Sequence, residues 1–302
     1  MLHTASSQRT RQDRNASLHL KASIIIRARN EAEHVGRVLA AIASQTVKPA
    51  EIVFIDSGST DNTVSIARRH RVRLFTMRPE DFSYGGALNF GVQRAEAPIV
   101  VFLSAHAVPA TSHWLEALLA PFHDEKVAAV FGRQLPYPYS NPLEALEIRR
   151  AYGTRPRRYR KNPPFSNANA AVRRRLALSR PFNERVTYAE DRMWAREVSE
   201  EGFTVAYVPR AAAYHSHNET FREVFLRQRR EIRESVVNLD LDTWLAEWWM
   251  VPVGFLWGLG RDWLRLMARG AHPRWVVRAP AFRLAKVLGT WCGCRDAEKV
   301  MR

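Results

Sequence analysis

Cysteine is almost absent from this chain. Cys292 and Cys294 are the only two in 302 residues, so no disulfide framework can form, and no Cys/His spacing fits a zinc site. Such a chain suits a reducing compartment. Lysine is also scarce: of 46 Lys and Arg only six are Lys, while Asp and Glu number 30, leaving a net charge of +16. Arginine suits fork-like contacts to phosphate, so nucleic acid, anionic lipid and nucleotide diphosphate all come into view as partners. Nucleic acid drops out, because helix-turn-helix, zinc-finger and aromatic RNP-type motifs are all missing. The N-terminal residues hold no apolar core of seven or more, so no secretory signal is expected. Residues 1–21 are polar, basic and aperiodic, and read as a disordered arm. Residues 248–260 run thirteen without a charge, short of the roughly 17–25 that cross a bilayer. No internal repeat is evident. The hydrophobic content, 46%, is enough for a sizeable core.

What is present is an alternation of strand and helix. Residues 99–103 are an unbroken apolar run, the pattern of a strand buried on both faces of a parallel sheet. Residues 22–26, 51–55 and 72–75 read as further strands, with helices over 30–44 and 62–70. That order predicts right-handed parallel crossovers and an α/β, doubly wound sheet. Ligands of such sheets bind outside the carboxyl ends of the strands. Ser104 and His106 follow one strand there, two residues apart, so both can face one ligand. Arg27 and Arg29 leave the first strand, and Asp56 ends the second, able to accept from a ribose hydroxyl or base N–H. Gly85 and Gly86 lie at an expected helix start, where backbone N–H groups favour phosphate. Alternatives stay open: Asp56 as a turn cap, and the two glycines as only a tight loop.

Eight motifs in order resemble the GT-A glycosyltransferases of family 2, in particular the bacterial rhamnosyltransferase-like branch. They are Arg-Ala-Arg-Asn-Glu (27–31), Ile-Asp-Ser-Gly-Ser-Thr-Asp (55–61), Phe-Ser-Tyr-Gly-Gly-Ala-Leu-Asn (82–89) and Val-Phe-Leu-Ser-Ala-His-Ala (101–107). Then come Gly-Arg-Gln-Leu-Pro (132–136), Phe-Ser-Asn-Ala-Asn (165–169), Ala-Glu-Asp-Arg-Met-Trp-Ala (189–195) and Tyr-His-Ser-His-Asn (214–218). The resemblance implies a Rossmann-like nucleotide-diphospho-sugar transferase domain over residues 22–220, followed by a helical C-terminal region over 221–302. It places Arg27, Arg29, Asn30, Glu31, Asp56, Ser57, Gly85, Gly86, Asn89 and Ser104 around the donor. Asp191 becomes the base that deprotonates the acceptor hydroxyl, with Glu190 on acceptor hydroxyls. One carboxylate is sufficient for a single in-line displacement, which implies inversion of configuration. Acidic residues at a helix start are also ordinary caps.

Two positions depart from the family pattern. Ser104-Ala105-His106 stands where relatives carry Asp-x-Asp, whose last Asp helps hold a metal on the diphosphate. The expected cofactor is a divalent ion, Mn2+ or Mg2+, and an imidazole at His106 favours manganese. His217 is chosen over His215 as the second metal ligand, because Ser216-His217-Asn218 matches best. Ser57 stands where many relatives have a second Asp that reads uracil, which points toward thymidine or another diphosphate sugar beside a uridine one.

Residues 136–142 read as a loop, 144–152 as a helix and 155–161 as a solvated basic loop. An amphipathic helix is expected over 220–235, with Phe221, Val224 and Phe225 inward. Beyond it, Trp244, Trp248, Trp249, Trp257 and Trp263 with flanking Arg suit a helix lying in a membrane interface. A packing or dimerisation helix is the competing reading. The expected function is an inverting glycosyltransferase, cytoplasmic and peripheral on the inner face of the cell membrane. It would move a sugar from dTDP-rhamnose or a UDP-sugar to a surface-polysaccharide or lipid-linked glycan. The missing carboxylates open one alternative, a catalytically silent nucleotide-sugar- or glycan-binding subunit. Asp191 argues against it, since a silent relative needs no base.

Overall fold

The computed structural model describes residues 20–240, 247 and 249–301. The expected arm over residues 1–19, and Trp244 and Trp248, lie outside the described residues. The chain divides into two compact units, the first comprising residues to Leu135, Tyr152–Arg185 and Glu190–His215, the second Pro136–Ala151, Val186–Ala189 and the residues from Ser216 on. The sequence expectation had a single cut near residue 220; here residues 136–151 and 186–189 also belong to the second unit.

The first unit is built on one nine-stranded sheet. Strand β1 (Ala22–Ala28) is followed by helix α1 (Val35–Ala43), β2 (Glu51–Asp56), α2 (Thr63–Ala67) and β3 (Arg73–Thr76). Then come α3 (Tyr84–Arg94), β4 (Ile99–Ser104), β5 (Val108–Pro109), α4 (Trp114–Leu119) and β6 (Val127–Leu135). Strands β1, β2, β3 and β4 pair in parallel, as their apolar runs predict. Ile24, Ile25, Ile26, Val53, Phe54, Val100 and Val101 are fully buried, because apolar layers cover both faces of this half.

The chain next forms α5 (Pro142–Ala151), which belongs to the second unit, and then β7 (Arg157–Tyr159), β8 (Asn169–Arg173), α6 (Arg174–Ser179), α7 (Glu190–Glu200) and β9 (Thr204–Tyr214). The sheet is mixed here: β8 runs antiparallel to both β4 and β6, while β9 is parallel to β6. The expected basic loop over 155–161 contains β7, paired antiparallel to β9, with Arg158 tied to Asp124 at 2.6 Å. Cross-strand hydrogen bonds hold backbone that its charges alone would leave in solvent.

The second unit gathers α5 with three long helices, α8 (Phe221–Leu239), α9 (Met250–Ala268) and α10 (Pro273–Met301). Thr220 and Glu223 close a capping box at the start of α8. Leu143, Leu146, Val224, Leu259, Leu266 and Phe282 form its core. Asp262, 2% exposed, accepts from Arg283 Nε at 2.9 Å. Gly258 lets that guanidinium pass, since a Cβ there would stand 2.5 Å from Arg283 Cδ. No helix among the described residues is long and apolar enough to cross a membrane.

Candidate active site

The first unit delivers its polar side chains to the carboxyl ends of β1, β2 and β4. Register sets Ala28 beside Asp56 and Arg27 beside Ser104, so three strands open onto one edge. The loops leaving them are laced together. Asn30 adopts φ 55°, a left-handed conformation that asparagine tolerates. Its Oδ1 accepts from Thr60 N at 2.8 Å, and its N–H donates to Ser59 Oγ at 2.9 Å. Glu31 N–H donates to Thr63 Oγ1 at 2.7 Å. Asp56 is 4% exposed; its Oδ2 accepts from Gly58 N at 3.2 Å and Ser59 N at 3.1 Å. Its Oδ1 is buried with no partner among the described residues. An unsatisfied buried acceptor costs about 1–3 kcal/mol, and a ribose hydroxyl or base N–H would offset it. Asp56 is thus a turn cap on one oxygen and open to a ligand on the other.

Beyond β4 the site becomes an imidazole pair. His106 Nδ1 lies 2.7 Å from Glu31 Oε1, and His106 Nε2 lies 3.1 Å from His215 Nε2. His215 Nδ1 in turn lies 2.9 Å from Gln134 Oε1. Carboxylate and amide oxygens can only accept here, so both Nδ1 atoms carry the protons. Each neutral ring then has its lone pair on Nε2, and two lone pairs 3.1 Å apart repel. A proton or a cation between them removes the repulsion. Two neutral imidazole nitrogens are a competent donor set for a divalent transition ion, and a carboxylate behind one of them is the usual support for a ligating histidine. The residues present fit a metal on this chemistry.

The third cluster is the carboxylate pair at the start of α7. Asp191 Oδ2 accepts from Asn167 N at 3.0 Å, and its Oδ1 from Arg192 N at 2.7 Å. Burial pushes the Glu190 carboxyl up to about 7; the negative charge of Asp191 adds to this, and Arg27 pulls back. Burial also raises Asp191, against the N–H groups of Asn167 and Arg192 and the charges of Arg192 and Arg27. Burial lowers Arg27 in turn, and the facing carboxylates oppose that. The Arg27 guanidinium donates to Tyr84 O at 2.9 Å, which fixes it at this edge. The result is a carboxylate held in place, with its proton affinity raised by burial. Ala189, just before the pair, adopts φ 73°, a strained conformation for alanine.

Other expected donor contacts are spent elsewhere. Asn89 Nδ2 donates to Phe182 O at 2.9 Å and Glu184 Oε1 at 2.8 Å, while its Oδ1 accepts from Phe182 N at 2.8 Å. A Cβ on Gly85 would stand 2.2 Å from Asn183 O, and Gly86 N donates to Ser83 Oγ at 3.0 Å. Asn89 and Gly85 thus also pack on the segment 182–184, while Gly86 is capped by Ser83. Ser57 is buried and donates to Ala28 O at 3.3 Å, which ties the end of β2 to β1. Arg29 is exposed at the strand end, and Ser104 half-buried beside Arg27. His215 is the imidazole bonded to His106; His217 belongs to the second unit, where its backbone N–H donates to Glu144 Oε1 at 2.7 Å.

Two residues escaped the reading of the sequence. Gln134 sets the His215 tautomer. Asn167 is 4% exposed, and neither Nδ2 nor Oδ1 has a partner among the described residues, although its N–H holds Asp191. The available signal was the Phe-Ser-Asn-Ala-Asn stretch, in which Asn169 holds Trp114 Nε1 at 2.8 Å and Ala211 O at 2.9 Å.

Known proteins share this layout. Residues 23–180 match the model of Glycosyl transferase family 2. The O-antigen chain rhamnosyltransferase WbaN of Salmonella anatum is 33% identical over 261 residues, covering 82% of this chain and 81% of WbaN. RfbN of Salmonella typhimurium, described in the same words, is 31% identical over 283 residues, covering 89% and 88%. The mannosyltransferase PcManGT from Pyrobaculum calidifontis, solved with GDP-Man and Mn2+, superposes with a TM-score of 0.56 at 20% identity, over 94% of this chain and 77% of that one. Glucosyl-3-phosphoglycerate synthase from Mycobacterium tuberculosis, with Mg2+ and uridine diphosphate, gives 0.56 at 18% identity, over 76% and 83%. The fold is that of the GT-A glycosyltransferases with added C-terminal helices, and the chain is a rhamnosyltransferase-like member of glycosyltransferase family 2.

Proposed function

We propose that this glycosyltransferase moves rhamnose or a related sugar from a nucleotide diphosphate donor, dTDP-rhamnose before a UDP-sugar, onto a lipid-linked surface glycan with inversion. The observation that carries this reading is the Glu190–Asp191 pair, buried at a helix start, oriented by the Asn167 N–H and faced by Arg27. Asp191 takes the proton from the acceptor hydroxyl as its oxygen attacks the anomeric carbon, and Glu190 binds neighbouring hydroxyls. Arg27, Arg29, Asn30, Glu31 and Asp56 line the strand ends where the nucleotide diphosphate would lie. His106 and His215 would hold a divalent ion, with Glu31 and Gln134 behind them. Such an ion supplies positive charge for the departing diphosphate. Asn167 offers its unpartnered amide to a substrate hydroxyl beside the base. The test is a turnover screen of UDP-, dTDP- and GDP-sugars, with and without Mn2+. Metal-dependent turnover of dTDP-rhamnose above the others is expected, and no turnover of any donor would sink the reading.

The acceptor's lipid calls for a membrane surface, and α9 supports one. Val253, Leu256, Trp257, Leu264 and Met267 are exposed at spacings of three, four and seven, with Leu256 67% and Leu264 68% exposed. Gly258, Leu259, Asp262 and Leu266 form the opposite, buried face. The helix has 19 residues, about 28 Å at 1.5 Å each, with Arg261, Arg265 and Arg269 along or just beyond it. Trp and Leu on one face with Arg alongside suit the headgroup region of an anionic leaflet, and the expected place is the cytoplasmic side of the cell membrane. In flotation with phosphatidylglycerol vesicles the wild type should float, and a Leu256→Glu/Trp257→Glu variant should stay at the bottom. Equal flotation would leave α9 a packing helix.

A further inference from the structure

The second unit contains a cleft of about 810 Å³ that no part of the transfer chemistry uses. Two cations meet in it. Arg274 and Arg278 stand one helical turn apart in α10, with guanidinium carbons 5.3 and 5.4 Å from the centroid of the Trp275 ring between them. Both are exposed, and neither has a carboxylate within ion-pair distance among the described residues. Like charges at this spacing repel, so an anion binding both would gain their attraction and relieve the repulsion. The acid on the cleft wall does not serve: Glu219 accepts Arg227 Nε on both oxygens at 2.8 Å.

The remaining wall has the chemistry of a saccharide site. Tyr139 is 53% exposed and stacked on Tyr137, with centroids 4.9 Å apart, so it offers a rigid ring face. Asn141 and Asn218 each use Oδ1 to accept a backbone N–H, at 2.8 and 2.9 Å, which leaves their Nδ2 donors for hydroxyls. Helix α9 is tied to the same stretch of α10, since Trp263 Nε1 donates to Val276 O, next to Trp275, at 2.9 Å.

We propose that this cleft binds a phosphorylated saccharide, with its phosphate on Arg274 and Arg278 and its sugar ring on Tyr139. Resting on the transferase reading above, the natural ligand is the phosphate-linked sugar at the lipid end of the acceptor, whose tail would enter the membrane along α9. Calorimetric titration of the full chain with glucose 1-phosphate tests it, with glucose, inorganic phosphate and phosphatidylglycerol vesicles as the other arms. Glucose 1-phosphate should bind more tightly than phosphate, with free glucose silent. Arg274→Gln/Arg278→Gln should weaken it tenfold or more, and Tyr139→Ala should lower it to the level of phosphate. The proposal fails if the double variant binds as the wild type does. It fails equally if phosphate matches the sugar phosphate, or if the vesicles displace the sugar phosphate, which would assign the cleft to lipid headgroups. Donor turnover without acceptor, measured alongside, should be unchanged in the double variant. Absent turnover in the wild type would instead count against the transferase reading and leave the binding result standing.

Discussion

Asp191→Asn should lower sugar transfer by about 10²–10⁴-fold, the usual worth of a positioned base, while nucleotide affinity stays nearly unchanged. The amide keeps the size of the carboxylate and an oxygen for the Asn167 N–H that lies 3.0 Å from Oδ2. It cannot take a proton, so the loss isolates base catalysis from packing. Steady-state kinetics with nucleotide titration checks it, and unchanged turnover rejects the assignment. The same pair sets a pH limb. Burial raises Asp191 above the ordinary Asp range, so acceptor deprotonation should fall as pH drops through its raised value. The Asn variant should lose this dependence. Stability runs the other way. The native carboxyls bind protons more tightly than the unfolded chain does, so their burial costs nothing below the ordinary Glu value of 4.5 and reaches full cost as pH rises through about 7.

Chelation should have the next largest effect, taking wild-type transfer down by 10²-fold or more, in line with several kcal/mol of charge stabilisation lost at the diphosphate. The reason lies in the tautomers. Glu31 and Gln134 fix both Nδ1 protons, so His106 and His215 bring two lone pairs within 3.1 Å, and a cation is their natural guest. Nitrogen donors favour the later divalent ions, so Mn2+ should serve better than Mg2+. His106→Ala should weaken Mn2+ binding tenfold or more in calorimetry, about 1.4 kcal/mol. Full transfer in excess EDTA would exclude a metal role and leave a shared proton as what joins His106 to His215.

The half of the fold that was legible is the half whose strands are buried on both faces. Residues 99–103 carry no polar interruption and 22–26 only Ser23, so their period and place follow directly. Strand β9 has no local signal at its end, because Pro209-Arg210 and three alanines lack β-branched character. It continues to Tyr214 by pairing with β6 across register shifts, a long-range contact without local signature. The choice between His215 and His217 was open in the sequence for a similar reason. Both sit at the same alternation, and only Gln134, 81 positions earlier, marks which one is oriented. Glycines at 85–86 would look alike whether they admit a phosphate or the carbonyl of Asn183. Asn167 lay within the quoted 165–169 motif but took no role there, because its burial is not legible in the sequence.

The exposed stripe of α9 also bears on colloidal behaviour. A chain of net charge +16 keeps its copies apart at low ionic strength, when repulsion reaches across the solvent gap. Raising salt from about 0.1 M to 1 M shortens that reach from about 10 Å to about 3 Å. Trp257, Leu264 and their neighbours then meet their counterparts on a second molecule with nothing to hold them off. Salt that frees most basic proteins from adventitious anions would drive this one toward self-association, so its solubility is governed by screening as much as by folding.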